Sequence, residues 1–409
     1  MKELQEKYAN LILKVCLRIK KEQPLFISAN SERADFVRIL VSRAMDLGIK
    51  DIYLDIIDVN IKHDLLKTLS LDDLKDNKYF NRSIWNEYAK KGAAFIMLAS
   101  ETPGLMSDVD SQKQIDAQMY SLDTRQVFDD LRGKSMVPWI IAAVPTLSWA
   151  KKVFPDSNQP LEDLWMKIFE ICGVTKDDSE KELNEKLEKL KERRNKLNSY
   201  KIRKLKYKNS LGTDFEIELP EKVLWQTGRE KLASGEEVLV NYPTEEVFTS
   251  PTCDSANGIV YASKPLSYND NLINDFWIKF RDGVAIDCGA KEGLNILKGI
   301  ISSAANSNRL GEVALVEYDS PISKSNMIFY ETLFDENASC HIALGDSFPE
   351  CIENGINLDK EELIKNKLNQ CKNHVDFMIG TKDLEITGIT ADNKEIKIFE
   401  NGNFTDTLQ

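Results

Sequence analysis

Short apolar runs alternate with longer amphipathic stretches over roughly the first 150 residues. Residues 3–22 repeat apolar side chains at helical spacing, and the apolar run 24–29 is followed by Asn30 and Ser31, either of which can cap a helix. Further apolar runs of strand length lie at 51–58, 93–99 and 138–144. Strands that alternate with helices pair in parallel through right-handed crossovers. We therefore predict an open, mostly parallel α/β sheet in this region.

A charged stretch separates this region from the second half of the chain. Residues 176–208 carry one apolar stripe among many charges, which predicts an amphipathic helix with a solvated face. Beyond it, the texture changes to strands separated by turn residues, at 214–220, 236–243, 258–263, 283–290, 311–318 and after His374. We predict two domains: an N-terminal α/β domain over 1–200 that ends in a charged linker helix, and a C-terminal α+β domain over 201–409 that is rich in antiparallel strands.

The composition excludes several classes of function. The chain has 54 Lys and Arg against 66 Asp and Glu, a formal net charge of −12, whereas nucleic-acid binding requires a basic surface. No stretch reaches the roughly 18 apolar residues of a membrane span, and the first residues lack the apolar core of a signal peptide. The seven cysteines include no Cys-x-x-Cys pair and are typical of reduced thiols. We expect a cytoplasmic protein with no nucleic-acid or membrane partner.

Two of the three histidines have acidic neighbours, whereas His63 lies in a charged helical stretch and is expected at the surface. His374 and Asp376 are two residues apart in a predicted strand, so both side chains point the same way and can share a cation. A hydrogen-bonded surface pair is the alternative.

A second acidic segment contains Asp335, Glu336 and His341 between an apolar stretch and a predicted helix. Convergence of Glu336 and His341 on a metal is one interpretation, and helix capping with turn formation is the other. Cys340 is expected to be a buried, inert thiol.

Two further carboxylates complete the candidate ligands. Glu245 and Glu246 follow a predicted strand, in a loop between two prolines, where an exposed acidic turn is the alternative. Glu312 begins a strongly apolar strand, and a carboxylate buried there requires a partner or a cation. Carboxylates combined with histidines suit Zn²⁺, Mn²⁺ or Co²⁺. The absence of an H-E-x-x-H motif disfavours a one-zinc peptidase of that type.

Four long segments resemble the thermophilic metallo-aminopeptidase family. They are PTEEVFTSP (243–251), RLGEVALVEYDSPIS (309–323), FYETLFDENASCHIALG (329–345) and HVDFMIGTKDLEITGI (374–389), with a similar stretch at 137–155. Members of this family are two-metal exopeptidases, typically homodimeric, that act on peptides with a free N-terminus. The resemblance implies metal ligation by Glu246, Glu312, Glu336, His341, His374 and Asp376.

In such a site two cations activate a water molecule, one polarises the scissile carbonyl and the other takes the substrate's α-amine. We expect Glu312 to be the bridging ligand, because its strand holds it rigidly. Zinc is the first expectation for the metal, with cobalt or manganese as alternatives. A general base must be a carboxylate that binds no metal; Glu245 and Asp335 are the candidates, and a solvated turn residue is the alternative for both.

One residue departs from the family pattern. The family sequence H-x-A-L-G-x-x-Y-P carries a tyrosine that lines the metal site, whereas here HIALGDSFP places Phe348 at that position. A phenylalanine donates no hydrogen bond, so hydrolysis is expected to be weak unless another donor such as Tyr330 substitutes. The competing functions are a metal- or peptide-binding protein with little or no hydrolysis, and a metal-free scaffold whose carboxylates are surface charge.

Overall fold

The computed structural model describes residues 1–100 and 102–408. The chain forms two compact units, one comprising Met1–Leu187 with Gly228–Thr244 and the other comprising Glu188–Thr227 with the chain from Glu245 onward. Within the described part of the chain, no helix is both long and apolar enough to cross a membrane. All seven cysteines are free thiols.

The first unit is built on a parallel sheet, which confirms the predicted architecture. In spatial order its strands are Asn241–Tyr242, Trp139–Ala143, Ala94–Ala99, Leu25–Asn30 and Ile52–Ile57. Phe26 is opposite both Tyr53 and Phe95, and these rings join Trp85 and Phe128 in an aromatic core. Three of the predicted apolar runs become interior strands with mostly buried side chains, whereas Ile52–Ile57 is an edge strand in which Leu54 and Ile56 are exposed.

Helices and a small ribbon surround this sheet. The helices are Lys2–Asn10, Ala34–Asp46, Val59–Thr68, Leu71–Asp76, Ser83–Lys90, Ser111–Thr124, Gln126–Gly133, Leu147–Val153 and Pro160–Ile171, and the ribbon pairs Arg229–Lys231 with Glu237–Leu239. The Asn30 side chain accepts the Glu32 N–H, as expected of a cap. The predicted helix over 3–22 is shorter, because the helical backbone continues only as the π-helical turn Leu11–Cys16 before Arg18 adopts a positive φ of 49°.

The charged linker also differs from its prediction. The helix spans Ser179–Tyr200, and the following residues form the strand Ile202–Lys208 rather than more helix. Lys201 has a left-handed backbone with φ of 49°, which ends the helix. Ile202, Leu205 and Tyr207 are then buried in a sheet of the second unit, so tertiary packing overrides the charged composition.

Antiparallel sheets dominate the second unit, as predicted. The short antiparallel sheet contains, in spatial order, His374–Met378, His341–Gly345, Leu310–Leu315, Val247–Thr249 and Gln226–Thr227. The long antiparallel sheet contains Leu266–Tyr268, Asn271–Arg281, Asn257–Tyr261, Asp214–Glu218, Ile202–Lys208, Glu385–Thr390, Glu395–Glu400 and Asn403–Phe404, with Val284–Glu292 paired to Asn271–Arg281. The helices are Leu294–Ser302, Pro321–Lys324, Thr332–Glu336 and Lys360–Lys365.

One local prediction in this unit is wrong. A helix was expected directly after the acidic segment that contains His341, but His341–Gly345 is a fully buried strand of the short sheet. It pairs with another strand along each edge, and all five of its residues are buried.

Candidate metal centre

Strand register places the predicted strand ligands on one face of the short antiparallel sheet. Ala343 is opposite Glu312 on one side and Asp376 on the other, so the three side chains form a row across the sheet. His341 and His374 are each two residues before a member of this row, and side chains two residues apart share a face. The small Ala343 methyl separates two carboxylates that approach each other across it.

A loop and a short helix bring the two remaining predicted ligands, Glu246 and Glu336, to the same face of the sheet. Glu246 lies immediately before the strand Val247–Thr249, and Glu336 is the last residue of the helix Thr332–Glu336. Glu246 and Glu336 are both buried. The structure therefore gathers all six predicted ligands in one buried cluster.

Close backbone contacts at glycines shape this edge of the sheet. A Cβ on Gly311 would lie 2.0 Å from the Asp346 carbonyl oxygen, and Gly345 has a φ of +106° that favours glycine. The Asp346 carbonyl so placed accepts a hydrogen bond from Nδ1 of His374 at 2.9 Å. Gly311 thus allows the close approach of the Asp346 carbonyl, which in turn orients the His374 ring.

Hydrogen bonds to main-chain carbonyls fix both histidine rings. Nδ1 of His341 contacts the carbonyl oxygens of Glu336 at 3.0 Å and Ser339 at 3.1 Å. Because a carbonyl only accepts, each Nδ1 carries the proton, and each Nε2 faces the carboxylates. Nε2 of His341 is 3.1 Å from Oε2 of Glu246, and Nε2 of His374 is 3.0 Å from Oε2 of Glu312.

The cluster contains three overlapping groups whose ligand atoms lie within 4.8 Å of one another: Glu246, Glu312 and His341; Glu312, His374 and Asp376; and Glu336, His341 and Asp376. Glu312 is shared by the first two groups. A carboxylate with two oxygens can bind one cation through each. His341 and Asp376 are likewise each shared by two groups, so the six residues can offer several ligand atoms to divalent metal within one cluster.

Electrostatics in the cluster favour bound cations. Burial, with the charge of Asp376, raises the pKa of Glu312 to about 7 against the favourable contact with His374. Burial and the nearby carboxylates raise the pKa of Glu336 well above its usual value. Burial opposes protonation of His341, yet Glu246 and the other carboxylates outweigh it and raise the histidine pKa. Three buried carboxylates and that of the half-buried Asp376, together with two histidines, carry an excess of negative charge that divalent cations neutralise.

A buried carboxylate oxygen without a hydrogen bond also indicates a cation site. Oδ1 of Asp376 is buried without a hydrogen bond, although Nε2 of His374 lies 3.3 Å away. A buried carboxylate oxygen without a hydrogen bond is costly unless a cation binds it. The donor set, the orientation of both Nε2 atoms and this oxygen together fit divalent metal.

The two general-base candidates have different surroundings. Asp335 is buried, so the solvated-turn alternative is wrong for it; its carboxylate accepts the main-chain N–H groups of Phe329 at 2.9 Å and Glu331 at 3.3 Å. Burial raises its pKa to about 6. Glu245 is half-buried, and its main-chain N–H donates to Asn337. Cys340 is a buried thiol whose pKa burial raises to about 12, and it exchanges hydrogen bonds with the main chain of Val316.

Phe348 lies against the candidate ligands. Its ring centroid is 4.9 Å from that of His374 and 5.3 Å from that of Phe248, which it meets edge-on. Phe248 is opposite Ala314 in the sheet and so belongs to the ligand-bearing face. An apolar wall therefore borders the cluster where the resemblance predicts a tyrosine hydroxyl.

Two buried polar residues of this region, Glu331 and Asn337, were not predicted from the sequence. Glu331 precedes the helix Thr332–Glu336, and its carboxylate accepts the Phe334 N–H at 3.2 Å. Burial, with the charge of Asp335, raises its pKa to about 8. The only sequence feature that could have indicated Glu331 was the presence of a glutamate in an apolar segment just before a helix.

Replacing Glu331 by glutamine is expected to stabilise the metal-free protein increasingly as pH rises from 5 to 8, by about 1–3 kcal/mol at pH 8. The folded state holds a proton up to a pKa of about 8, whereas the usual value is 4.5. The free energy of unfolding of the wild type therefore falls as pH rises towards 8. The glutamine variant has no proton to lose at this position, so it is spared this loss of stability. Denaturant unfolding at several pH values measures the difference. A gain independent of pH, or one equalled by the control Glu317→Gln, would contradict it.

Comparisons with known proteins extend over nearly the whole chain. The family profile of thermophilic metalloproteases (M29) matches residues 1–404. Aminopeptidase AmpS of Bacillus subtilis (strain 168) is 38% identical over 97% of both chains. Aminopeptidase 2 of Geobacillus stearothermophilus is 38% identical over 100% of this chain and 98% of the relative. The solved structure of wild-type AmpT from Thermus thermophilus is 28% identical, with a TM-score of 0.86 over 99% of both chains.

The fold and these relatives together define a metallo-aminopeptidase, an enzyme that uses divalent metal to act on peptides. The chain belongs to the thermophilic metalloprotease (M29) family. The resemblance found in the sequence is thereby confirmed.

Proposed function

We propose that this enzyme releases N-terminal amino acids from peptides with two divalent cations held by Glu246, Glu312, Glu336, His341, His374 and Asp376. The sharing of Glu312 between two groups of ligands is the observation that carries this proposal. Zinc is the first candidate, with cobalt or manganese as alternatives. Bound in this cluster, such cations supply activation of a water molecule and polarisation of the scissile carbonyl.

The chain's own residues position the reacting groups. Main-chain carbonyls hold each Nδ1 proton, so that both Nε2 atoms point into the cluster. Glu312 lies in a strand paired on both sides, which limits its movement. Phe248 and Phe348 cover one side of the cluster and exclude water there.

Removal of metal tests this proposal directly. Dialysis against a chelator is expected to abolish hydrolysis of an aminoacyl chromogenic substrate, and about two equivalents of Zn²⁺, Co²⁺ or Mn²⁺ are expected to restore it. The N-acetylated form of the same substrate is the control and should remain uncleaved. Full hydrolysis by protein shown to be metal-free would refute a metal-dependent mechanism, and restoration by a single equivalent would refute the two-cation arrangement.

A second candidate is a protein that binds metal and peptide but hydrolyses slowly. The Phe348 ring against His374 favours it, because this position offers no hydrogen-bond donor to a reacting carbonyl. Tight metal binding without turnover would support this candidate. Homodimer formation stays a prediction of the resemblance, which sedimentation analysis of the purified protein can test.

A further inference from the structure

Asn337 is a fully buried side chain that makes three hydrogen bonds beside the cluster. Its Oδ1 accepts the main-chain N–H of Glu245 at 2.7 Å. Its Nδ2 donates to the Leu333 carbonyl oxygen at 2.9 Å and to Oε1 of Glu336 at 3.4 Å. Both ends of the amide are therefore occupied.

These contacts join two segments that are far apart in sequence. Glu245 precedes the proposed ligand Glu246, and Asn337 follows the proposed ligand Glu336; the hydrogen bond links positions 92 residues apart. The amide is planar and has a fixed polarity, with an acceptor at one end and a donor at the other. The Asn337 side chain thus sets the distance between the loop that carries Glu246 and the helix end that carries Glu336.

The third hydrogen bond orients a ligand directly. The Asn337 amide donates to Oε1 of Glu336, which leaves Oε2 as the oxygen free of this bond. The main-chain carbonyl of Glu336 also accepts from Nδ1 of His341 at 3.0 Å. The position of Glu336 is therefore coupled to that of a second proposed ligand through its own backbone.

We propose that Asn337 is a positioning residue that holds the Glu336 carboxylate and the Glu246 loop in the arrangement that binds metal. This inference rests on the proposed function, because it assigns Asn337 a role at the same metal centre. The residue contacts no substrate and acts through the ligands. Hydrogen-bond partners of metal ligands typically contribute 10–100-fold to metal affinity.

The substitution Asn337→Asp separates the two roles of the amide. Aspartate keeps the shape and the acceptor for the Glu245 N–H, but it presents an acceptor to Oε1 of Glu336 and to the Leu333 carbonyl. We expect Asn337→Asp to weaken Co²⁺ and Zn²⁺ binding by about 10–100-fold in chelator competition. The visible spectrum of the Co²⁺ protein is expected to change as well, because the ligand geometry changes.

Asn198→Asp provides a matched control in the same unit. The Asn198 amide also accepts a main-chain N–H at 2.7 Å and donates to a main-chain carbonyl, both of Trp225, but it contacts no proposed ligand. Metal affinity of this variant should stay within about twofold of wild type. Equal affinity in folded Asn337→Asp and wild type would overturn the inference. Failure of wild type itself to bind metal would instead overturn the proposed function.

A paired comparison keeps the inference testable if Asn337→Asp alone does not fold. In Glu336→Gln combined with Asn337→Asp, the glutamine amide can donate to the aspartate and restore the hydrogen bond with reversed polarity. If Asn337 acts through the Glu336 carboxylate, this double variant should bind Co²⁺ within about twofold of Glu336→Gln alone. A further tenfold loss in the double variant would overturn the proposed route through Glu336.

Discussion

Glu312→Gln is expected to lower kcat/KM for an aminoacyl chromogenic substrate by at least about 10³-fold and to release bound metal. Glu312 belongs to two of the groups of candidate ligands, so its loss is expected to weaken both proposed cation positions at once. Glutamine keeps the shape but offers a neutral amide where a charged oxygen is needed. His341→Ala, which removes a proposed ligand that belongs to the first and third groups, is expected to have the same consequence.

Metal content by atomic spectroscopy and the rise in unfolding temperature on metal addition measure the binding part of this prediction. A ligand that binds only the folded state raises its stability, so that rise should shrink in both variants. Glu317→Gln is the control, because Glu317 forms an ion pair with Arg193 at 2.8 Å and lies outside the ligand groups. Full activity in Glu312→Gln or His341→Ala would contradict the assigned ligand set.

Phe348→Tyr is expected to raise kcat by about 10–100-fold while metal affinity stays unchanged. The Phe348 ring packs against His374, so a hydroxyl on it would place a hydrogen-bond donor beside the cluster. Such a donor stabilises the negative charge that develops on the peptide carbonyl oxygen. Single-turnover and steady-state rates with metal-loaded protein separate this effect from substrate binding.

Phe248→Tyr is the matched control for this substitution. Phe248 contacts Phe348 edge-on and belongs to the same apolar cluster, so its hydroxyl changes the polarity of the wall without occupying the family position. A comparable gain in Phe248→Tyr would show that general polarity, not a positioned donor, limits the rate. No turnover by either metal-loaded Phe348→Tyr or wild type would favour the binding protein over the enzyme.

Local patterns predicted those parts of the fold that depend on local chemistry. The strand Ala94–Ala99 is buried, and its continuous apolar run marks it without knowledge of its neighbours. The alternation of side chains in a strand was enough to place His374 and Asp376 on one face. The helix ending at Tyr200 was predicted too long, because charge pattern alone does not show that Ile202 and Leu205 enter a sheet.

The candidate site was predicted from residue types and resemblance, but its geometry was not. Glu246 and His341 meet at 3.1 Å only because intervening strands pair in a particular register. The role of Asn337 was not predicted, since a hydrogen bond to a main-chain group 92 positions away leaves no trace in local sequence. The alternative that placed Asp335 in a solvated turn was wrong, because burial of a carboxylate depends on which segments pack over it.

The sequence by itself determined the α/β and α+β character of the two halves, the excess of acidic residues, the family and the identity of the candidate ligands. These follow from periodicity, composition and ordered motifs, which are properties of the chain. Only the tertiary structure decided that Gly228–Thr244 returns to the first unit, where Asn241–Tyr242 pairs in parallel with Trp139–Ala143. It also decided that Glu312 is shared between two groups of candidate ligands and that Asn337 makes hydrogen bonds to the main chain of Glu245 and to the side chain of Glu336. Strand register brings together residues that are distant in sequence, and burial depends on the segments that pack over a residue. Neither property can be read from a single segment of the chain.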